Sequence, residues 1–223
     1  MPRILLLVAA LFAASPMLYA SEAAAQCAPG DLIKTLGNAR ATSVIAPSGG
    51  RKSVVVRKTI TLGNFANSFA LRNALDAAGC GVGDLAQEII AHPAFTLAPT
   101  RTVVDLVAVP AAEFGLTAES AALGDIYSRA EKLGLSLAPA EVGPELRLQY
   151  LDQPIGEFLH IGMKPITTWN GDPVIFVVAN GGAGLILIGQ HTSADTQIPT
   201  SQVFLFVRPP DTRELAKVRA PAR

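Results

Sequence analysis

The chain has 223 residues, of which 50% are hydrophobic, 16% charged and 6% aromatic, with 18 Lys and Arg set against 18 Asp and Glu. Half-apolar content with moderate charge excludes a disordered polymer, and 19 Gly without a fixed period exclude a collagen-like repeat. Zero net charge supplies no electrostatic attraction to nucleic acid, so no such partner is expected.

Residues 1–25 place Arg3 before an apolar run from Ile4 to Ala14, then a helix-breaking Ser15-Pro16, then small residues ending Ala23-Ala24-Ala25. That order reads as a secretory signal peptide cleaved before Gln26, with a cut after Ala20 as the alternative site. An uncleaved anchor needs about 20 apolar residues, a length this run reaches only by crossing Pro16. The expected location is secreted or periplasmic, with no stable membrane span after cleavage. Cys27 and Cys80 are the only cysteines, and an oxidising compartment lets them join as a disulfide. Closing that loop would stabilise the fold by roughly 4 kcal/mol. Lipidation of Cys27 is the rival reading, opposed by Gln26 where a lipoprotein signal takes a small residue.

Residues 26–52, punctuated by Pro29-Gly30 and Pro47-Ser48-Gly49-Gly50, read as an N-terminal arm to a single domain over 53–208. In that domain Val54, Val56, Ile60 and Leu62 share one parity and predict a strand over Ser53 to Leu62. Asn67 can cap a helix ending at Gly79, and Asp84 can cap a second that stops before Pro93. Thr102 to Val109 reads as a buried strand. From Thr117, the apolar positions Leu123, Ile126, Tyr127, Ala130 and Leu133 predict a third helix, stopped by Gly134. Only strand signals follow: Leu146 to Tyr150, Glu157 to Ile166, Val174 to Ala179, Leu185 to Gln190 and Gln202 to Val207. Strands grouped after helices predict an α+β fold, a predominantly antiparallel sheet with about three helices in the N-terminal half. The uncharged stretch Val174 to Ile188 is broken by Asn180 to Gly184 and reads as a hairpin rather than a membrane span. The tail 209–223, with Arg213, Lys217, Arg219 and Arg223 and few apolar partners, is expected to be disordered.

Residues 124–166 carry an Ile126-Tyr127 helix ending Leu133-Gly134, then Glu141-Val142-Gly143-Pro144, Leu146 to Tyr150, Asp152-Gln153-Pro154 and Gly156-Glu157. This segment resembles uncharacterised bacterial proteins that share the wording PAEVGPxLRLQYxDQPxGE. The resemblance implies kinship and leaves activity open.

Familiar chemistry is sparse. His92, His160 and His191 form no metal-binding spacing, and there is no serine-nucleophile elbow or phosphate-binding loop. Gly79-Cys80-Gly81-Val82-Gly83 imitates a dinucleotide loop but follows a helix where a strand is required, so no metal and no cofactor is expected.

The one polar concentration lies between Leu146 and Lys164, read as a hairpin in which Tyr150 faces Glu157. That register puts Arg147, Gln149, His160 and Lys164 on one surface, with Glu141 and Glu145 at its approach. Such a set suits a small anionic or carboxylate ligand, with Arg147 as its bidentate element. The plain alternative is a solvated sheet face. A catalytic version makes His160 a general base oriented by Glu141 or Glu157. The leading expectation is an exported binding protein for an envelope protein or a small polar ligand. A small hydrolase is the second, and an assembly factor that adds a strand at an exposed edge over Gln202 to Val207 is the third.

Overall fold

The structure, a computed structural model, describes residues 56–182 and 184–210. The expected signal peptide, the expected arm with Cys27, Ser53 to Val55 of the first expected strand, and the tail from residue 211 lie outside these residues.

Strand β1 (Val56–Leu62) alternates as its sequence predicts, burying Ile60 and Leu62. The Asn67 side chain accepts from the Ala70 N–H at 2.9 Å and starts helix α1 (Ser68–Ala77), which buries Leu71 and Leu75 one turn apart. Gly79, with φ of 67°, lets the chain leave that helix. Two residues of strand, β2 (Gly81–Val82), lead into α2 (Asp84–Ala91), which buries Ala86, Ile89 and Ile90. Strand β3 (Thr102–Pro110) follows. The third helix, α3 (Leu123–Lys132), begins later than the sequence suggested because Ser120–Ala122 is drawn off as β4 to pair with β9 (Gln197–Pro199).

The remaining elements are α4 (Val142–Gln149), β5 (Phe158–Ile161), β6 (Ile166–Thr167), β7 (Pro173–Asn180), β8 (Leu185–His191) and β10 (Val203–Arg208). The main sheet has the order β1-β3-β10-β5-β7-β8-β2, with β6 paired to β7. It is a mixed sheet: β10 runs parallel to β5, and β2 runs parallel to β8. The expected predominantly antiparallel α+β arrangement is therefore corrected on two counts. Parallel pairs interrupt the sheet, and a fourth helix stands where strands alone were expected.

That helix overturns the expected Leu146 to Lys164 hairpin. The order Leu146-Arg147-Leu148-Gln149-Tyr150 looks period-two, yet Val142 and Leu146 are both buried at a spacing of one helical turn. Gly143 lets the helix close on the sheet, since a Cβ there would sit 2.8 Å from the Phe176 side chain. A second correction concerns the sheet edge. Strand β10 covers the segment proposed for strand addition and lies inside the sheet between β3 and β5, so its backbone is already paired on both sides.

The core is continuous from α1 and α2 across the sheet to α3, where Tyr127 meets the rings of Phe204 and Phe206 edge-on. Among the described residues, no helix is long and apolar enough to cross a membrane.

Candidate functional site

Helix α4 carries most of the residues singled out from the sequence, and its polar side chains face inward. Glu141, Glu145 and Gln149 recur every four residues and so fall on one helical face. Glu141 is buried; its Oε1 accepts from the Gly63 N–H at 2.8 Å and its Oε2 from the Ala98 N–H at 2.7 Å. Glu145 accepts from the Asn64 backbone at 3.3 Å, from Asn64 Nδ2 at 3.1 Å and from Gln149 Nε2 at 2.8 Å. Burial raises the Glu145 pKa, the Asn64 and Gln149 hydrogen bonds oppose the rise, and the Glu141 charge adds to it. Gln149 completes the row by pairing with Thr61, accepting from its N–H at 2.9 Å and donating to its carbonyl at 2.8 Å. These three side chains clamp β1 and the loop after it.

Arg147 is turned into the interior and is 0% exposed. Its guanidinium donates to Gln153 Oε1 at 2.5 Å, to the Ala179 carbonyl at 3.3 Å and to the Tyr150 carbonyl. Burial lowers its pKa to about 10. Gln153 in turn donates to the carbonyls of Glu157 and Val178, both at 3.1 Å, and Asn180 Nδ2 donates to the Gln153 carbonyl at 2.8 Å. Arg147 thus ties the loop 150–157 to β7.

The expected surface of Arg147, Gln149, His160 and Lys164 with Glu141 is consequently not assembled. Arg147, Gln149 and Glu141 are engaged with backbone and loop, Lys164 is exposed, and His160 lies on β5. The cause is local: a helix sends successive side chains around its axis, whereas the hairpin reading required alternation across a strand.

His160 instead lines a cleft of about 1010 Å³ that spans several strands of the main sheet. Its polar lining comes from Arg57, Glu157, His160, Gln190, Ser201 and Gln202, and its apolar lining includes Pro110, Phe158, Val177, Ile188 and Val203. The elements explain the convergence, because β10 places Phe204 beside His160, and β7 places Val177 between His160 and Ile188. Arg57 donates to Glu157 Oε1 at 2.7 Å and to the Tyr150 hydroxyl at 3.2 Å. His160 is 5% exposed, and burial lowers its pKa, against the pull of hydrogen bonding with the Val203 backbone and the Gln190 side chain.

Among the described residues, four buried side-chain atoms have no hydrogen-bond partner: Arg147 Nε, Glu157 Oε2, His160 Nδ1 and Gln202 Oε1. The last three belong to residues that line this cleft. Sequence reasoning reached His160 and weighed Glu157, but missed Arg57, Gln190 and Gln202. One signal was present for Gln190, which shares parity with Ile186 and Ile188 at the end of an otherwise apolar strand. Among the described residues, no group of three or more His, Cys, Asp or Glu side chains is placed to hold a metal ion.

Trp169 lies away from the cleft, 65% exposed, with its ring 4.6 Å from that of His92. The fold and the cleft together define a mixed-sheet domain with a ligand-sized recess whose polar lining is incompletely paired. No family model, curated protein or solved structure matches the chain.

Proposed function

We propose that the chain is an exported binding protein whose cleft around His160 holds a small organic molecule. One observation carries the binding part: three of the four unpartnered buried side-chain atoms found among the described residues belong to residues that line a single recess. A buried polar atom left unpaired costs roughly 1–3 kcal/mol, and a concave, mostly apolar recess with convergent polar groups is where a ligand recovers that cost. Binding is favoured over hydrolysis because Arg147, which the hydrolytic reading placed beside His160, is committed to Gln153 and to backbone carbonyls, and Glu141, one of the two carboxylates that reading offered, is committed to backbone amides elsewhere.

The export part rests on Arg3, the apolar run Ile4 to Ala14 and the Ala23 to Ala25 exit, together with two cysteines suited to an oxidising compartment. Cys80 is buried at the end of α1, at the point where a bridge from Cys27 would fasten the arm. A mature product beginning at Gln26, with the Cys27 and Cys80 peptides joined in a non-reducing digest, is the expected result. An intact N-terminus in the reduced cytosolic fraction would refute it.

Binding is tested by titrating the folded protein with a neutral apolar dye, N-phenyl-1-naphthylamine, and repeating the titration with Ile188→Trp. Ile188 is half-buried in the cleft wall, so the larger ring fills the recess without entering the closed core. Saturable dye binding that the variant loses at unchanged Tm supports the site; equal binding by both proteins refutes it.

A further inference from the structure

We infer that the ligand of this cleft is a neutral polyhydroxyl ring compound, a saccharide, seated between the polar row Arg57, Glu157, His160 and Gln202 and the ring of Phe158. The inference rests on the binding reading above and gives it a chemical class.

The unpartnered atoms set the first requirement. Glu157 Oε2 is a carboxylate oxygen and Gln202 Oε1 an amide carbonyl, so both can only accept. Neutral imidazole offers His160 Nδ1 as a further acceptor when the proton sits on the other nitrogen. The missing partner therefore brings several hydrogen-bond donors.

Charge sets the second. Arg57 already lies 2.7 Å from Glu157 Oε1 and neutralises it, leaving the polar row with one cation and one anion. An organic cation would meet Arg57 as well as Glu157, and an anion would meet Glu157 with no second Lys or Arg in the lining. A neutral donor has neither conflict. Hydroxyl groups suit the row because each donates and accepts: they supply protons to Glu157, Gln202 and His160, and receive them from Arg57 and from the Gln190 amide.

The apolar lining sets the third. Phe158 stands in the lining while 46% exposed, and its ring tip would be 3.6 Å from a Cβ at Gly181, so the ring lies beside Gly181 at the cleft margin. A sugar ring offers a C–H face to such an aromatic surface and hydroxyls at its perimeter, matching both halves of the lining. The cleft volume of about 1010 Å³ lies at the top of the span for small-ligand sites, which leaves room for more than one ring.

The test is calorimetric and NMR titration of the mature, oxidised protein with cellobiose, maltotriose and diacetylchitobiose, each at up to about 10 mM. At least one is expected to bind saturably, with affinity falling about tenfold or more in Gln202→Leu and in Phe158→Ala at unchanged Tm. Phe158 is already substantially exposed, so the second variant keeps the test sound if the first does not fold. Absence of binding by all three sugars overturns the inference. If the dye still binds and Ile188→Trp still abolishes it, only the saccharide assignment fails; if neither dye nor sugar binds, the binding reading fails with it. Sugar affinity unchanged in both variants also overturns the inference, since the sugar would then sit elsewhere.

Discussion

Replacing Arg147 by methionine tests whether this buried cation is a structural tie. Methionine keeps an unbranched stem of similar length and deletes the donors. Three oxygens then lose their partner: Gln153 Oε1 and the carbonyls of Ala179 and Tyr150. At roughly 2 kcal/mol for each buried acceptor left unpaired, the gross loss is about 6 kcal/mol. Part of this is returned, because the folded protein no longer holds a desolvated charge. The depression of the Arg147 pKa to about 10 values that penalty at roughly 3 kcal/mol. The net expectation is destabilisation by about 3 kcal/mol, which at a typical slope of about 2 kcal/mol per molar urea moves the unfolding midpoint down by roughly 1.5 M. Equilibrium urea unfolding followed by circular dichroism reads this directly. Combining Arg147→Met with Gln153→Met should cost less than the two separate losses together, because both remove one hydrogen bond. A midpoint within about 0.5 M of the parent, or strict additivity of the pair, would refute the assignment.

Three further outcomes follow from the same geometry. The raised Glu145 pKa means that the native state holds this proton more tightly than the unfolded chain, so the group's ionisation removes stability as pH rises from about 4.5 through the native value. Glu145→Gln should lack that segment of the curve, its deficit against the parent being largest at acid pH and narrowing towards neutrality; parallel stability curves from urea midpoints at successive pH values would contradict this. For His160 the sign is opposite: burial depresses its pKa, so stability is lost as pH falls below 6.5 towards the native value. NMR titration of the His160 ring should accordingly give a midpoint below 6.5, and one at or above it would count against the burial argument. Gly143→Ala should destabilise by about 1–3 kcal/mol despite alanine's better helix propensity, because its Cβ would sit 2.8 Å from Phe176, and Phe176→Leu in the same chain should recover part of the loss. A neutral or stabilising Gly143→Ala, measured by urea unfolding, would show that α4 does not press on the sheet as described.

Elements whose period is written in apolar residues were legible in the sequence. Strand β3 is the run Thr102–Pro110, α1 starts at its Asn67 cap, and Ile126 and Ala130 mark the inner face of α3. Helix α4 was not legible by that means, because Glu141, Glu145, Arg147 and Gln149 are polar residues that face inward and bind backbone carbonyls and amides. A reading that sends polar residues to solvent inverts such a helix, and the leucines at 146 and 148 then supply a false alternation. The sheet order was hidden for another reason. Insertion of β10 between β3 and β5 joins segments far apart in sequence, and no local signal specifies a parallel pair. His160 could be picked out as a histidine in an apolar strand, but the cleft around it draws Arg57 from β1 and Gln202 from the approach to β10. Only that long-range pairing brings them together.

The clamp and the cleft meet at Glu157. Its carbonyl accepts from Gln153 Nε2 at 3.1 Å and from the Asn180 N–H at 3.0 Å, while its carboxylate reaches Arg57 in the lining. Arg147 holds Gln153 from the opposite end of the same amide. A buried cation that never touches the cleft therefore fixes the backbone from which the cleft's carboxylate projects. In the segment running from Glu141 to Glu157, the inward-facing polar residues of α4 serve the fold, and the chain delivers one side chain, Glu157, to the recess. The same division bears on strand addition at the other end of the sheet order. Outer strand β1 has its Thr61 amide and carbonyl taken by Gln149, so a visiting strand would first have to displace a side chain already paired with both.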